Sequence, residues 1–215
     1  MRGTRLRLLI GTLPVALLTG LLFLLPIPAP ADSGHETPTA VVRATLDAVF
    51  HILDDPHLKP ATQAKQRRHQ LEQVIAERFD YEEMSKRTLA AQWKALNDGD
   101  RQEFVQLFKA FLSDQYAARI EGYAGERVVY LSERTANGYA EVRTRLVSDK
   151  LDLPMDYRLT GKHGTWYAYD VIVDGVSLVM NYRSQFTKIM AESSFQELLR
   201  RLRERPTKDG GPPKT

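Results

Sequence analysis

The chain has 215 residues, enough for one large domain or two small ones, and at 43% hydrophobic it can bury a sizeable core, which excludes wholesale disorder. Its formal charge of +3 is concentrated at one end: Arg2, Arg5 and Arg7 stand in a stretch without acids, and beyond it basic and acidic residues balance, so duplex binding through a broad basic face loses its support. Cysteine is absent, which excludes disulfide staples, thiolate metal sites, a Cys nucleophile and an acylated lipoprotein cysteine.

Residues 1–31 read as a secretory signal peptide. Three arginines precede a mostly apolar run from Leu8 to Leu25, and Ala29-Pro30-Ala31 supplies small residues at the expected cleavage positions. The competing reading is an uncleaved anchor, although the run includes Thr12, Pro14, Thr19 and Gly20 and lies at the lower edge of what spans a bilayer. No later run approaches this length, so residues 32–205 are expected to form one soluble domain in an extracytoplasmic compartment. A cysteine-free chain suits a bacterial periplasm. The Gly/Pro/Lys-rich tail at 206–215 is expected to be disordered.

Thr37-Pro38 predicts a helix start, a capping hydroxyl followed by proline in the first turn. Val42, Leu46, Val49 and Leu53 then share one face until Asp54-Asp55-Pro56 ends the helix. A second helix is expected over about 60–78, with Leu71, Val74 and Ile75 on one side and Arg67, Arg68 and Glu72 on another. Asp80 and Glu83 form a capping signal that opens a helix through Met84 and Leu89 towards Trp93. Asn97-Asp98-Gly99 reads as a turn, and Asp100 with Glu103 as the cap of a long helix carrying Phe104, Leu107, Phe108, Phe111 and Leu112 to Gly122. The period then changes from about 3.6 to 2. Strands are expected over 128–132, 139–148, 151–159 and 165–173, with Asn137-Gly138 and Gly161 to Gly164 as turns. On the second, Ala140, Val142, Thr144 and Leu146 oppose Glu141, Arg143 and Arg145. On the third, Leu151, Leu153, Met155, Tyr157 and Leu159 oppose Asp152, Asp156 and Arg158. A helix over about 177–190 and another capped by Ser194 complete the chain. The sum is an α+β domain: an antiparallel four-stranded meander with helices over one face.

Enzyme signatures are missing. There is no Walker loop, no dinucleotide glycine fingerprint and no G-x-S-x-G, and His35, His51, His57, His69 and His163 lack metal-ligand spacing. Asp156 and Asp170 lie on strands, where a carboxylate beside a tyrosine can serve as a buried base. Asp156, however, has the polar parity of its strand, and Asp170 is expected to pair with an arginine. The arginines at 200, 201, 203 and 205 suit a solvated helix face. The strand over 165–173 carries apolar residues on both parities, so either both its faces are covered or one lines an apolar pocket.

Several blocks together carry a resemblance. Phe79-Asp80-Tyr81-Glu82-Glu83-Met84-Ser85-Lys86-Arg87 followed by Trp93, the strand Pro154-Met155-Asp156-Tyr157-Arg158-Leu159, and Trp166-Tyr167-Ala168-Tyr169-Asp170-Val171 appear in that order. Asp174-Gly175-Val176-Ser177-Leu178 and Asn181-Tyr182-Arg183-Ser184-Gln185-Phe186 follow. In order and spacing these resemble the MlaC (toluene-tolerance) family over about 41–202. Ala90 departs from a usual glycine, Asp174 from a usual glutamate, and Ser193-Ser194 from a glycine-containing turn.

The resemblance implies a periplasmic phospholipid-binding protein, not an enzyme. Its twisted antiparallel sheet and helices would surround an apolar cavity, with a cystatin/NTF2-like outline. It implies bound phospholipid as cargo, with no other cofactor and no metal. The implied partners are an inner-membrane ABC lipid transporter complex with a ring-forming lipid-binding subunit and an outer-membrane lipoprotein–porin complex, the protein itself being monomeric and binding no nucleic acid. The lining expected is Met84, Phe108, Tyr116 and Tyr123 from the helices, Val142, Leu146, Met155 and Tyr157 from the sheet, and Val173, Val176 and Leu178 at the lid. Two alternatives stay open on the sequence: a cavity enzyme of the NTF2-like class using Asp156 or Asp170 as base, and a chaperone for lipidated proteins.

Overall fold

The computed structural model describes residues 36–204; the expected signal peptide and tail lie outside them. Helix α1 (Pro38–Asp54) starts as its cap requires, with the Thr37 hydroxyl accepting the Ala40 N–H at 3.1 Å. A short 3₁₀ turn at Ala61–Gln63 leads into α2 (Ala64–Arg78). Helix α3 (Tyr81–Leu89) is capped by Asp80, whose carboxylate accepts the Glu83 N–H at 2.9 Å. The expected run on to Trp93 is interrupted: α4 (Ala91–Ala95) is separate because Ala90 adopts φ 52°, ψ −118°. Alanine's helix propensity gives no signal of such a break. Helix α5 (Asp98–Glu121) begins earlier than the sequence suggests, because Asn97 accepts the Asp100 N–H and turns the Asn-Asp-Gly segment into a first helical turn.

Five strands follow in the order β1-β2-β3-β4-β5, all antiparallel: β1 (Arg127–Ala136), β2 (Tyr139–Val147), β3 (Asp152–Lys162), β4 (Thr165–Val173) and β5 (Val176–Ser177). The four-stranded meander is thus present with a two-residue fifth strand, too short for periodicity to announce. β1 is longer than expected because its second half is exposed on both faces and shows no alternation, while its backbone still pairs with β2. Three reversals use two-residue turns ending in glycine, Asn137-Gly138, His163-Gly164 and Asp174-Gly175, with positive φ at both positions. That geometry matches the twist of the flanking strands. Helices α6 (Leu178–Glu192) and α7 (Phe195–Glu204) close the described chain, capped by Ser177 and Ser194.

The apolar interior falls into three clusters. The largest belongs to the helices: Met84, Phe104, Phe108, Tyr182, Phe186, Leu198 and Leu199 are buried among α3, α5, α6 and α7. A second joins α1 to the sheet through Val42, Ala140, Val142, Tyr157, Leu159 and Ala168. A third joins α1 and α2 through Val49, Ile52, Leu53, Leu58 and Leu71. The two-sided apolar pattern of β4 is explained by cover on both faces: Ala168 packs in the second cluster, while Asp170 and Ile172 are buried on the other face, where Asp170 accepts the Val179 N–H at the start of α6. The outer edge of β4 is closed by β5 at one end. At the other, Phe79 bridges to Ala168 and the Asp80 N–H donates to the Ala168 carbonyl at 2.7 Å.

A backbone at the Ala90 angles suits glycine, and holding a Cβ there costs about 1–3 kcal/mol, partly offset by the greater unfolded freedom of glycine. Ala90→Gly is therefore expected to raise unfolding stability by about 1 kcal/mol and the melting temperature by about 2–4 °C. Urea and thermal melts check this; an unchanged or lowered midpoint contradicts it.

Candidate functional site: the apolar face of the sheet

Strand register sets four rungs on one face. They are Ala140–Leu159–Ala168, Val142–Tyr157–Val171, Thr144–Met155–Val173 and Leu146–Leu153. β1 extends the last two with Tyr130 opposite Thr144 and Val128 opposite Leu146, and β5 carries the third to the sheet edge with Val176 opposite Val173. Cover decreases along the series. The first rung is no more than 8% exposed; in the second Val142 is buried and Val171 half-buried; in the third Thr144 is still buried at the centre, but its neighbours Met155 and Val173 are half-buried, as are Val128, Leu146 and Leu153 beyond, and Val176 at the edge is 56% exposed.

Helix α1 causes this gradient. Near the start of β4 the Thr165 hydroxyl donates to Glu36 at 3.4 Å. On β1 the Thr39 N–H donates to Glu133 at 2.8 Å, placing a carboxylate at the positive helix end. One turn later the Arg43 guanidinium lies 3.9 Å from the Tyr130 ring centre. The helix thus crosses the face obliquely from β4 to β1 and covers the rungs at one end more completely than those beside the Ser148–Leu151 turn.

The polar groups of this face are turned to partners within it. The Thr144 hydroxyl donates to the Met155 carbonyl at 2.5 Å, and the Tyr157 hydroxyl to the Met155 sulfur at 2.9 Å. Burial pushes the Tyr157 phenol far above its ordinary value, so it stays neutral. What the half-open rungs present is uncharged carbon.

The sequence-derived lining is divided by the structure. Val142, Leu146, Met155, Tyr157, Val173 and Val176 come together on the sheet face. Met84 and Phe108 are fully buried in the helical cluster, Tyr116 and Leu178 pack against that cluster from its margin, and Tyr123 stacks on Phe50 at 4.7 Å in the third cluster. Val128, Leu153 and Val171 belong to the same rungs and were not in that lining; strand parity, once paired with register, identifies them.

Asp156 and Asp170 face the other way. Asp170 is 1% exposed and fully engaged: one carboxylate oxygen accepts the Val179 N–H at 3.0 Å, and the other accepts the Ser177 hydroxyl at 2.6 Å and Arg158 at 3.4 Å. It fastens the start of α6 to β4. Asp156 is half-buried, 3.9 Å from Arg143. Neither carboxylate shares a face with the apolar rungs, so a catalytic pairing with that surface is not formed. Among the described residues no group of three or more His, Cys, Asp or Glu is arranged to hold a metal ion, and no helix is long and apolar enough to cross a membrane.

Two grooves open on the helical surface. One of 560 Å³ runs between α1 and α2, lined by Ile52, Gln70, Gln73, Val74, Ala76 and Glu77. The other, of 340 Å³, lies among α5, α6 and α7 and includes Phe111, Gln185, Ile189 and Arg201.

The family model described as "MlaC protein" matches residues 43–204. The chain belongs to the MlaC family. A curated relative, the intermembrane phospholipid transport system binding protein MlaC of Haemophilus influenzae, is 19% identical over 124 residues, covering 55% of this chain and 58% of the relative. The match therefore spans little more than half of that relative's length. A solved structure of a phospholipid-binding protein from Ralstonia solanacearum, in complex with a phospholipid, superposes with a TM-score of 0.68 at 23% identity, covering 77% of this chain and 94% of that one. The likeness establishes a shared fold.

Two buried phenols, Tyr157 and Tyr182, and the half-buried Tyr81 give the domain an alkaline limit. Burial, with Glu72 nearby, pushes Tyr81 up to about 12. Burial drives Tyr157 higher, and burial together with the Tyr116 hydroxyl does the same for Tyr182. Each phenol is neutral in the folded state where the unfolded chain ionises near pH 10, so stability is intact below about pH 10 and falls above it by up to about 1.4 kcal/mol per pH unit for each such phenol. Urea midpoints at pH 9, 10 and 11 are expected to drop steeply over the last interval; a flat profile contradicts the burial.

Proposed function

We propose that this protein is a periplasmic phospholipid carrier that holds the acyl chains of its cargo against the half-open end of the apolar sheet face. The observation that carries the reading is the row of Val128, Leu146, Leu153, Met155 and Val173, uncharged and incompletely covered, which ends at the exposed Val176. Family membership and the phospholipid named for the Ralstonia structure support the choice of ligand.

Acyl-chain transfer explains why such a surface is required. Each CH₂ removed from water is worth about 0.8 kcal/mol, so two chains of about fifteen carbons resist solvation by roughly 20 kcal/mol. A carrier must offer apolar cover on that scale, whereas the headgroup can remain in solvent. Binding of this kind needs no acid–base or nucleophilic residues, and we read the protein as a non-enzyme.

The transport system named for the Haemophilus relative supports a shuttle between membranes. In this reading a cleaved N-terminal signal delivers the protein to the periplasm. As a monomer it exchanges lipid with an inner-membrane ABC transporter complex and an outer-membrane lipoprotein–porin complex, maintaining outer-membrane lipid asymmetry. Release requires that a partner bind the unloaded form more tightly than the loaded one.

Val173→Asp tests the site. The side chain is half-buried, so the charge is tolerated by the fold but opposes acyl chains. Phospholipid co-purifying with the variant is expected to fall about tenfold or more with an unchanged circular dichroism spectrum. Wild-type lipid content in a folded variant contradicts the assignment.

A further inference from the structure

Among the helices around α5, α2 is held differently from the rest. Of its fifteen residues only Leu71 is fully buried. On one flank it meets α5 through charges: Arg67 pairs with Glu121 at 2.9 Å, Arg68 with Asp114, and Glu72 accepts the Ser113 hydroxyl while also pairing with Arg68 at 3.1 Å. The opposite flank borders the 560 Å³ groove, where Gln70, Gln73, Val74 and Glu77 recur at helical spacing. Between the two flanks, Leu71 with Val74 and Ile75 rests on the Val49, Ile52 and Leu53 side of α1, and Ile120 near the end of α5 is the apolar contact that helix makes with the same cluster. Helices α6 and α7 instead grip α5 through interlocked rings and leucines, with Phe104 5.8 Å and Phe108 5.3 Å from Phe186 between ring centres, and with Leu198 and Leu199 buried beside them.

These seams open at very different cost. The latch side chains are 14–42% exposed, so water can replace a partner as each pair opens, at a cost below that of a fully buried pair. Parting the aromatic seam would bare large apolar side chains. We infer that α2 is a movable flap: it rolls on α1 away from α5, breaking the Arg67–Glu121, Arg68–Asp114 and Glu72–Ser113 latch and taking up the groove on its far flank, and so admits acyl chains to the half-covered rungs. The fixed end is the Phe79–Asp80 segment, joined to β4 by the bridge to Ala168 and to the end of β3 by the Asp80–Lys162 ion pair. The free end follows the Pro56–Pro60 connection. Its Leu58 is buried in the α1–α2 cluster, and the Arg67 guanidinium donates to the Leu58 carbonyl at 2.7 Å, so this connection lies at the hinge on α1 about which the helix rolls. The inference rests on the carrier reading and adds the route of entry.

The absence of native cysteine makes a direct test practical. Arg68→Cys and Asp114→Cys are combined, the two thiols are bridged with a short bismaleimide, and uptake of a fluorescent phospholipid from phosphatidylethanolamine/phosphatidylglycerol vesicles is followed. The bridged protein is expected to take up lipid about tenfold more slowly than the same variant capped with a monomaleimide. Equal rates in bridged and capped protein overturn the flap while leaving the carrier reading intact. No uptake by the wild-type chain overturns the carrier reading, and the flap with it. Hydrogen exchange on the unmodified protein gives a second readout: α2 amides are expected to exchange about tenfold faster than those of α6. Equal protection of the two helices contradicts the inference.

Discussion

The structure depends on a mismatch of areas. The four apolar rungs span Ala140 to Leu146 on β2 and Leu153 to Leu159 on β3, so the apolar face extends about 23 Å along the strands and about 19 Å across four of them. Helix α1, with 17 residues, is about 25 Å long and about 10 Å wide with its side chains. One oblique helix cannot roof that face. The hydrophobic effect acts on whatever is left uncovered, so the far rungs stay half-exposed until other matter, protein or ligand, lies on them.

The remaining elements fall on either side of that deficit. The helical cluster of α3, α5, α6 and α7 is packed with aromatic rings and docked on β4 by a carboxylate whose oxygens are all engaged. Arg183 adds a further tie, donating from Nε to the Arg87 carbonyl at 2.8 Å. Arg87 in turn lies 4.1 Å from the Tyr169 ring centre and pairs with Glu83 at 2.7 Å. This side is rigid because removing any member leaves a buried group unpaired or a void. The α1–α2 side has its own smaller cluster and meets α5 mainly through charge, with Ile120 as an apolar contact near the end of that helix. A domain built this way can change the cover over its sheet without disturbing its main core.

Much of the fold was legible because its signals are local. Thr37-Pro38, Asp80 with Glu83, Asn137-Gly138 and the alternation of β2 and β3 each act within a few residues, and each appears where the sequence places it. The break at Ala90 was not legible in propensity, since alanine favours helix; its one signal was that alanine stands where the resembled family usually has glycine. Nor was the division of the candidate lining. Met84 and Phe108 are apolar in the same way as Met155 and Val173, and periodicity reports that a residue is buried, not which of three clusters receives it. The rungs emerged only when strand register was added to parity. The charged seam of α2 was visible as Arg67, Arg68 and Glu72 on one side of a helix, but solvent and α5 are equivalent destinations for such residues on sequence grounds alone.

The central claim is that the half-open rungs, and not the helical core, receive the acyl chains. Methyl-resolved NMR of the full domain with a phospholipid spin-labelled deep in one acyl chain tests this most directly. Methyl signals of Val128, Leu146, Leu153 and Val173 are expected to broaden strongly, while those of Leu89, Leu198 and Leu199 persist. Broadening centred on the latter, or none on the sheet methyls at saturating lipid, would contradict the account.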